Sequence, residues 1–124
     1  MKIIETDNAP KAIGTYSQAV KVNGFLFISG QIPLNPSTME LVEGIENQIN
    51  QVFENINEIL KADGMGFSNV VKLSVLLEDL SHFEKVNEIM AVIFSKPYPA
   101  RAAYEVSKLP KGSLVEIETI AFKE

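Results

Sequence analysis

The sequence predicts an α+β fold: a single mixed β-sheet with two helices on one face, in the order β-β-α-β-α-β-β. Three observations predict it. Apolar residues recur at helical spacing in two separate segments, 43–62 and 83–94. Around them lie short runs that alternate in polarity or are rich in branched and aromatic residues, as strands are. Each helix falls between strands with short connections, which stacks both helices on the same side of one sheet.

Taken in order, Ala19-Val20-Lys21-Val22 and Phe25-Leu26-Phe27-Ile28-Ser29 flank Asn23-Gly24. That dipeptide is the strongest two-residue hairpin signal, so the two strands are expected to pair antiparallel. From Glu43 to about Ala62, Ile45, Ile49, Val52, Phe53, Ile56, Ile59 and Leu60 fall on one helical face, and Asp63-Gly64 ends the helix. Residues 70–78 alternate, with Val71, Leu73, Val75 and Leu77 on one side of a strand. Ser81 and Glu84 then have the spacing of a capping box for a helix that turns Phe83, Val86, Ile89, Met90, Ile93 and Phe94 inward. Pro97 and Pro99 stop it. Two final strands are expected over 102–106 and 114–122.

In the last of these, Val115, Ile117, Thr119 and Ala121 point one way, and Leu114, Glu116, Glu118, Ile120 and Phe122 the other. Leu76 sits on that second face of its own strand. Two helices cover one side only, so recurring apolar residues on the other side point to a subunit interface.

The 124 residues show no internal repeat and no linker, and read as one domain over 1–124. With 11 basic against 16 acidic side chains the net charge is −5, and no basic run exists. A nucleic-acid partner is therefore not expected, because binding phosphates by counterion release needs clustered cations. Cysteine is absent, which removes disulfides, thiolate metal sites and a cysteine nucleophile together. A single histidine, His82, leaves only a carboxylate metal site, so no metal is expected. Gly64-Met65-Gly66 follows a helix and lacks the third glycine, which excludes the dinucleotide fingerprint. Acids stand early in the chain where a signal peptide needs an apolar stretch, and no apolar run nears the ~20 residues of a membrane helix. A soluble, cytoplasmic protein is expected.

Arg101 is the only arginine; every other cation is lysine. Two readings stand. Its planar fork can grip a carboxylate or phosphate bidentately, or it can pair across strands with Glu105 or Glu116. Glu116 and Glu118, two apart on a strand, share a face roughly 7 Å apart. Such a pair is either solvated or, among Leu114, Ile120 and Phe122, raised in pKa for proton transfer. If the last two strands form a hairpin, Glu118 falls directly opposite Arg101.

Four segments carry a resemblance: Ala12-Ile13-Gly14-Thr15-Tyr16-Ser17-Gln18-Ala19, Ser29-Gly30-Gln31-Ile32-Pro33-Leu34-Asn35-Pro36, Pro99-Ala100-Arg101-Ala102-Ala103, and Leu109-Pro110-Lys111-Gly112 with Val115-Glu116-Ile117-Glu118. In register over essentially the whole chain, they resemble the RidA (YjgF/Rid) family. The resemblance implies a chorismate-mutase-like fold and a homotrimer with sheets facing inward and pockets between subunits. It also implies a cofactor-free deaminase hydrolysing 2-iminobutanoate and 2-iminopropanoate, released by pyridoxal-phosphate dehydratases, to 2-oxo acids and ammonia. By position it makes Arg101 the carboxylate grip and Glu118 the water-activating group, with Tyr16, Ser29, Gly30, Gln31, Asn87 and Ala103 around the substrate. Ala103 stands where many members have cysteine, and Thr38-Met39-Glu40 replaces a common Thr-Gly turn. The alternatives are a non-catalytic carboxylate-binding trimer and, with less support from an acidic chain, a ribonuclease or translation inhibitor.

Overall fold

The computed structural model describes all 124 residues. Eight elements run β1 (Lys2–Ile4), β2 (Ala19–Val22), β3 (Phe25–Gln31), α1 (Ile45–Ala62), β4 (Val70–Leu77), α2 (Phe83–Ile93), β5 (Ala100–Glu105) and β6 (Val115–Phe122). The strands form one mixed sheet in the order β1-β2-β3-β6-β4-β5. β1 was not predicted; three residues, two of them exposed, carry too little pattern to announce a strand.

The β2–β3 hairpin forms as expected, with Val22 opposite Phe25. Both turn residues, Asn23 and Gly24, have positive φ (49° and 86°), which matches the twist of the flanking strands. α1 buries Ile49, Val52, Phe53, Ile56, Ile59 and Leu60, the face its spacing announced. It lies over β6 and β3 and packs against α2. Leu26, Ile28, Leu73, Val75, Leu77, Val115, Ile117 and Ala121 complete the core from the sheet side.

Val71, expected on the core side of its strand, is exposed, because an irregularity between Val70 and Lys72 turns Val70 inward instead. Strand connectivity and helix capping also need correction. The last two strands do not form a hairpin: β6 inserts between β3 and β4, and β5 lies outside β4, parallel to it. A strand–helix–strand unit closes in parallel, and here β4-α2-β5 does so. The capping box does not form either. Asp79 caps a short 3₁₀ turn over Leu80–His82, its carboxylate accepting from the Ser81 N–H at 2.9 Å, and α2 continues from that turn. The donor that Glu84 would have satisfied is already taken.

Buried amides fasten the loops. Gln48 donates to Val42 O and accepts from Leu114 N–H; Asn55 donates to Ile32 O and Leu34 O; Gln18 bonds Thr6 and Pro10. Each satisfies backbone groups that would otherwise be buried unpaired.

The far side of the sheet is uncovered and strongly apolar. Phe25 and Phe27 are 41% and 42% exposed, and Ile3, Val22 and Tyr104 are more or comparably so. Strand pairing puts Ile120, Phe122, Glu116 and Glu118 on the same face. No helix is long and apolar enough to cross a membrane.

Candidate active site

Arg101 leaves β5 toward the helices. Its Nη1 donates to Asn87 Oδ1 at 2.8 Å and approaches Met90 Sδ at 3.6 Å, and its Cζ lies 4.6 Å over the Phe83 ring. Phe83, Asn87 and Met90 are spaced four and three residues apart on α2, one stripe of a helix. One helical face thus stacks the guanidinium and engages one of its nitrogens. Nη2–H and Nε–H remain as a parallel pair of donors, the arrangement a carboxylate fills bidentately. Arg101 makes no ion pair, and Glu105 instead accepts from the Leu80 N–H at 2.9 Å. The cross-strand reading of Arg101 is therefore excluded. It opens on a cavity of about 390 Å³, also lined by Asn87, Met90, Ala91, Tyr98 and Pro99.

A second cavity, of about 640 Å³, gathers Tyr16, Ser29, Gly30, Gln31, Glu116 and Glu118. Its shape comes from a bulge. Ile28 pairs with Thr119 and Gln31 with Ile117, so Ser29 and Gly30 together oppose Glu118. Ser29 Oγ donates to Ser17 O at 2.6 Å, tying the bulge to the Tyr16 loop, and Gln31 Nε2 donates to Ser29 O. Gly30 lies against the Glu116 carboxylate, which a Cβ at this position would strike. A larger residue here would displace the Glu116 carboxylate from its present position.

The two glutamates differ. Glu116 is half-buried and Glu118 exposed. Burial pushes the Glu116 carboxyl above its ordinary value, and the neighbouring Glu118 charge pushes it the same way. Sequence reasoning placed both on one face but singled out Glu118. Glu116 is the one whose carboxyl is raised by burial.

The site residues fall into two groups that one chain does not unite. Leu73 pairs with both Arg101 and Thr119, while Ser74 pairs with Glu118. Arg101 therefore faces the helices and Glu118 the open side, with β4 between their strands. The expectation of Glu118 directly opposite Arg101 is overturned. Asn87 joins the arginine; Tyr16, Ser29, Gly30 and Gln31 join the carboxylates. Ala103 lines neither cavity and packs against the core. Phe83 and Met90 were read only as core residues, although their helical spacing around Asn87 was the signal available.

The fold is a two-layer α+β domain with an uncovered apolar sheet face, an arginine fork without an ion-pair partner, and a carboxylate pair in a bulge-lined cavity. The family model described as Endoribonuclease L-PSP matches residues 6–123. A RutC family protein of Pyrococcus horikoshii is 53% identical, covering 99% of this chain and 98% of its own. The 2-iminobutanoate/2-iminopropanoate deaminase of Mus musculus is 53% identical over 121 residues, 97% of this chain and 90% of that one. Among solved structures, RidA from the Antarctic bacterium Psychrobacter sp. PAMC 21119 superposes with a TM-score of 0.96 at 53% identity, covering 99% and 100% of the two chains. Escherichia coli TdcF with bound serine superposes at 0.93 with 37% identity and full coverage of both. The chain belongs to this RidA family.

Proposed function

We propose that this chain is a 2-imino acid deaminase whose site is assembled between copies in a homotrimer, with Arg101 from one copy facing Glu116 and Glu118 of the next. The observation that carries the reading is the opposed placement of an unpaired arginine fork and a proton-affine carboxylate. The carboxylate and imine carbon of a 2-imino acid are bonded neighbours, so both groups must reach one small molecule. Opposite faces and a separation of about 10 Å across two strand spacings prevent that within a chain. An apolar open face beside the carboxylates supplies the surface on which copies would meet. The named deaminase relatives and the serine-bound relative support a small 2-amino or 2-imino acid as the ligand.

The chemistry follows from the groups. The substrate carboxylate docks on Nη2–H and Nε–H of Arg101, which fixes the imine carbon relative to the glutamates. Water adds to that carbon while Glu116 takes its proton; a raised pKa makes it the better base. The Glu118 side chain faces the positive charge on the iminium nitrogen. The tetrahedral 2-amino-2-hydroxy acid then receives that proton at nitrogen from Glu116, the C–N bond breaks as the Glu116 carboxylate takes the remaining hydroxyl proton, and ammonia leaves a 2-oxo acid. Imine plus water gives oxo acid plus ammonia, so the balance needs no cofactor. General acid–base assistance of this kind contributes typically ~10²–10⁴-fold. The cytoplasm, where dehydratases acting on threonine or serine release such imines, is the compartment this role suits. The family description names an endoribonuclease, but a net charge of −5 gives RNA phosphates little to bind.

The test generates the imine with threonine dehydratase and lets semicarbazide compete for it. Wild type should suppress trapping, and Arg101→Lys, which keeps charge but loses the fork, should not. If wild type leaves trapping unchanged, the deaminase reading fails and the site is one for carboxylate binding alone.

A further inference from the structure

Met39 holds a φ of 60°, the left-handed region that a residue with a Cβ enters only at a cost. Nothing in the turn's own bonding requires a side chain there. The Met39 N–H donates to Asn35 O at 2.7 Å, Asn35 N–H donates to Glu40 O, and Ser37 N–H donates to Asn35 Oδ1. Leu34 bridges Leu41 at the base, and Asn55 holds Leu34 O from α1. Glycine would close the same turn without strain. What methionine adds is its thioether chain, half-buried and lining the cavity that holds Glu116 and Glu118. Ile13 and Ile32 line the same cavity. On a single chain this cavity is about 640 Å³, within the size range of small-molecule sites, and a neighbouring copy would take up part of it.

We propose that Met39, with Ile13 and Ile32, forms an apolar subsite for the substrate's side chain, biasing the chain toward 2-imino acids with long unbranched or branched aliphatic tails. This rests on the imine-hydrolysis reading above and deepens it. A flexible, polarisable methionine suits tails of varied shape.

The test uses an L-amino acid oxidase to make imines from alanine and leucine, with kcat/KM for each taken from semicarbazide competition. In wild type the leucine-derived imine should be the better substrate. Met39→Gly should lower the ratio of the leucine-derived to the alanine-derived imine about tenfold, the scale of a lost apolar contact. Its Tm should equal or exceed that of wild type, since a strained residue has been relaxed. Met39→Leu, which keeps apolar volume, should hold the wild-type ratio. An unchanged ratio in Met39→Gly overturns the subsite while leaving imine hydrolysis standing. So does a markedly lower Tm, because the side chain would then be serving the fold. A wild type that hydrolyses neither imine overturns both readings.

Discussion

Arg101 and Glu118 stand on opposite faces of one sheet, with β4 running between their strands. The pairing leaves no freedom in this. Leu73 has Arg101 on one side and Thr119 on the other, all three facing the helices, and Glu118 is the next residue along β6. A substrate only a few bonds long cannot touch both from a single chain.

Subunit mixing tests the consequence. Arg101→Ala and the double variant Glu116→Gln/Glu118→Gln should each be inactive alone. Unfolded together and refolded as mixed oligomers, they should regain activity, because a pocket taking arginine from one copy and glutamates from another can be intact. Random assembly at equal amounts makes about a quarter of cyclic interfaces intact. No recovery in verified mixed oligomers would show that the two groups act within one chain.

Asn87 orients Arg101 through a 2.8 Å bond from Nη1. Asn87→Ala should raise KM for the imine and lower kcat/KM about tenfold, the scale of one hydrogen bond to a charged group. Asn87 is exposed, so Tm should barely move. Asn87→Asp should cost more than the alanine change, since a carboxylate there pairs with the guanidinium and repels the substrate's own. An unchanged kcat/KM in Asn87→Ala would mean that Asn87 does not set the guanidinium's orientation.

Glu116 gives a pH signature. Its carboxyl is raised above the ordinary 4.5 in the folded state, chiefly by burial and then by Glu118. Folding therefore favours its protonated form. The stability it contributes is fully present below the unfolded pKa and is lost as pH rises through the raised folded value. Glu116→Gln cannot ionise, so Tm curves for variant and wild type should run together at low pH and diverge above it, the variant higher at pH 7. In wild type, kcat/KM should climb with pH along an acid limb set by Glu116. Glu118→Gln should move that limb toward lower pH by removing the repelling charge. A limb indifferent to Glu118 would separate the two carboxylates functionally.

Local pattern accounts for what was legible. Asn23-Gly24 specified its hairpin, the 4-3 spacing of α1 specified its buried face, and parity along β6 placed Glu116, Glu118, Ile120 and Phe122 together on the open side. Strand neighbours were not legible from parity, because alternation tells which face a residue takes and not which strand lies beside it. The α2 crossover was the missed cue: a helix between β4 and β5 makes them parallel partners and leaves β6 to enter between β3 and β4. The greater burial of Glu116 depended on the Ser29–Gly30 bulge of another strand, a contact no local pattern reports. Asp79 displaced Ser81 as the cap because the chain turns into a 3₁₀ segment first.

Asn55 links the fold to the cavity wall. It sits on α1, is 1% exposed, and its Nδ2 donates to Ile32 O at 3.3 Å and Leu34 O at 3.0 Å. Those carbonyls open the loop that carries Met39. Asn55→Leu keeps the side chain's size but leaves both without this donor. Losing buried partners costs about 1–3 kcal/mol, which for a chain of this length lowers Tm by several degrees, about 4 °C per kcal/mol. Glu54→Ala, one position away on the exposed side of α1, should change stability by no more than about 0.5 kcal/mol. Amide exchange in 32–41 should quicken in Asn55→Leu, because a backbone freed from its anchor opens locally before the core does. If Tm falls and exchange in 32–41 stays as slow as in wild type, Asn55 stabilises α1 alone, and the loop draws its order from the Leu34–Leu41 bridge.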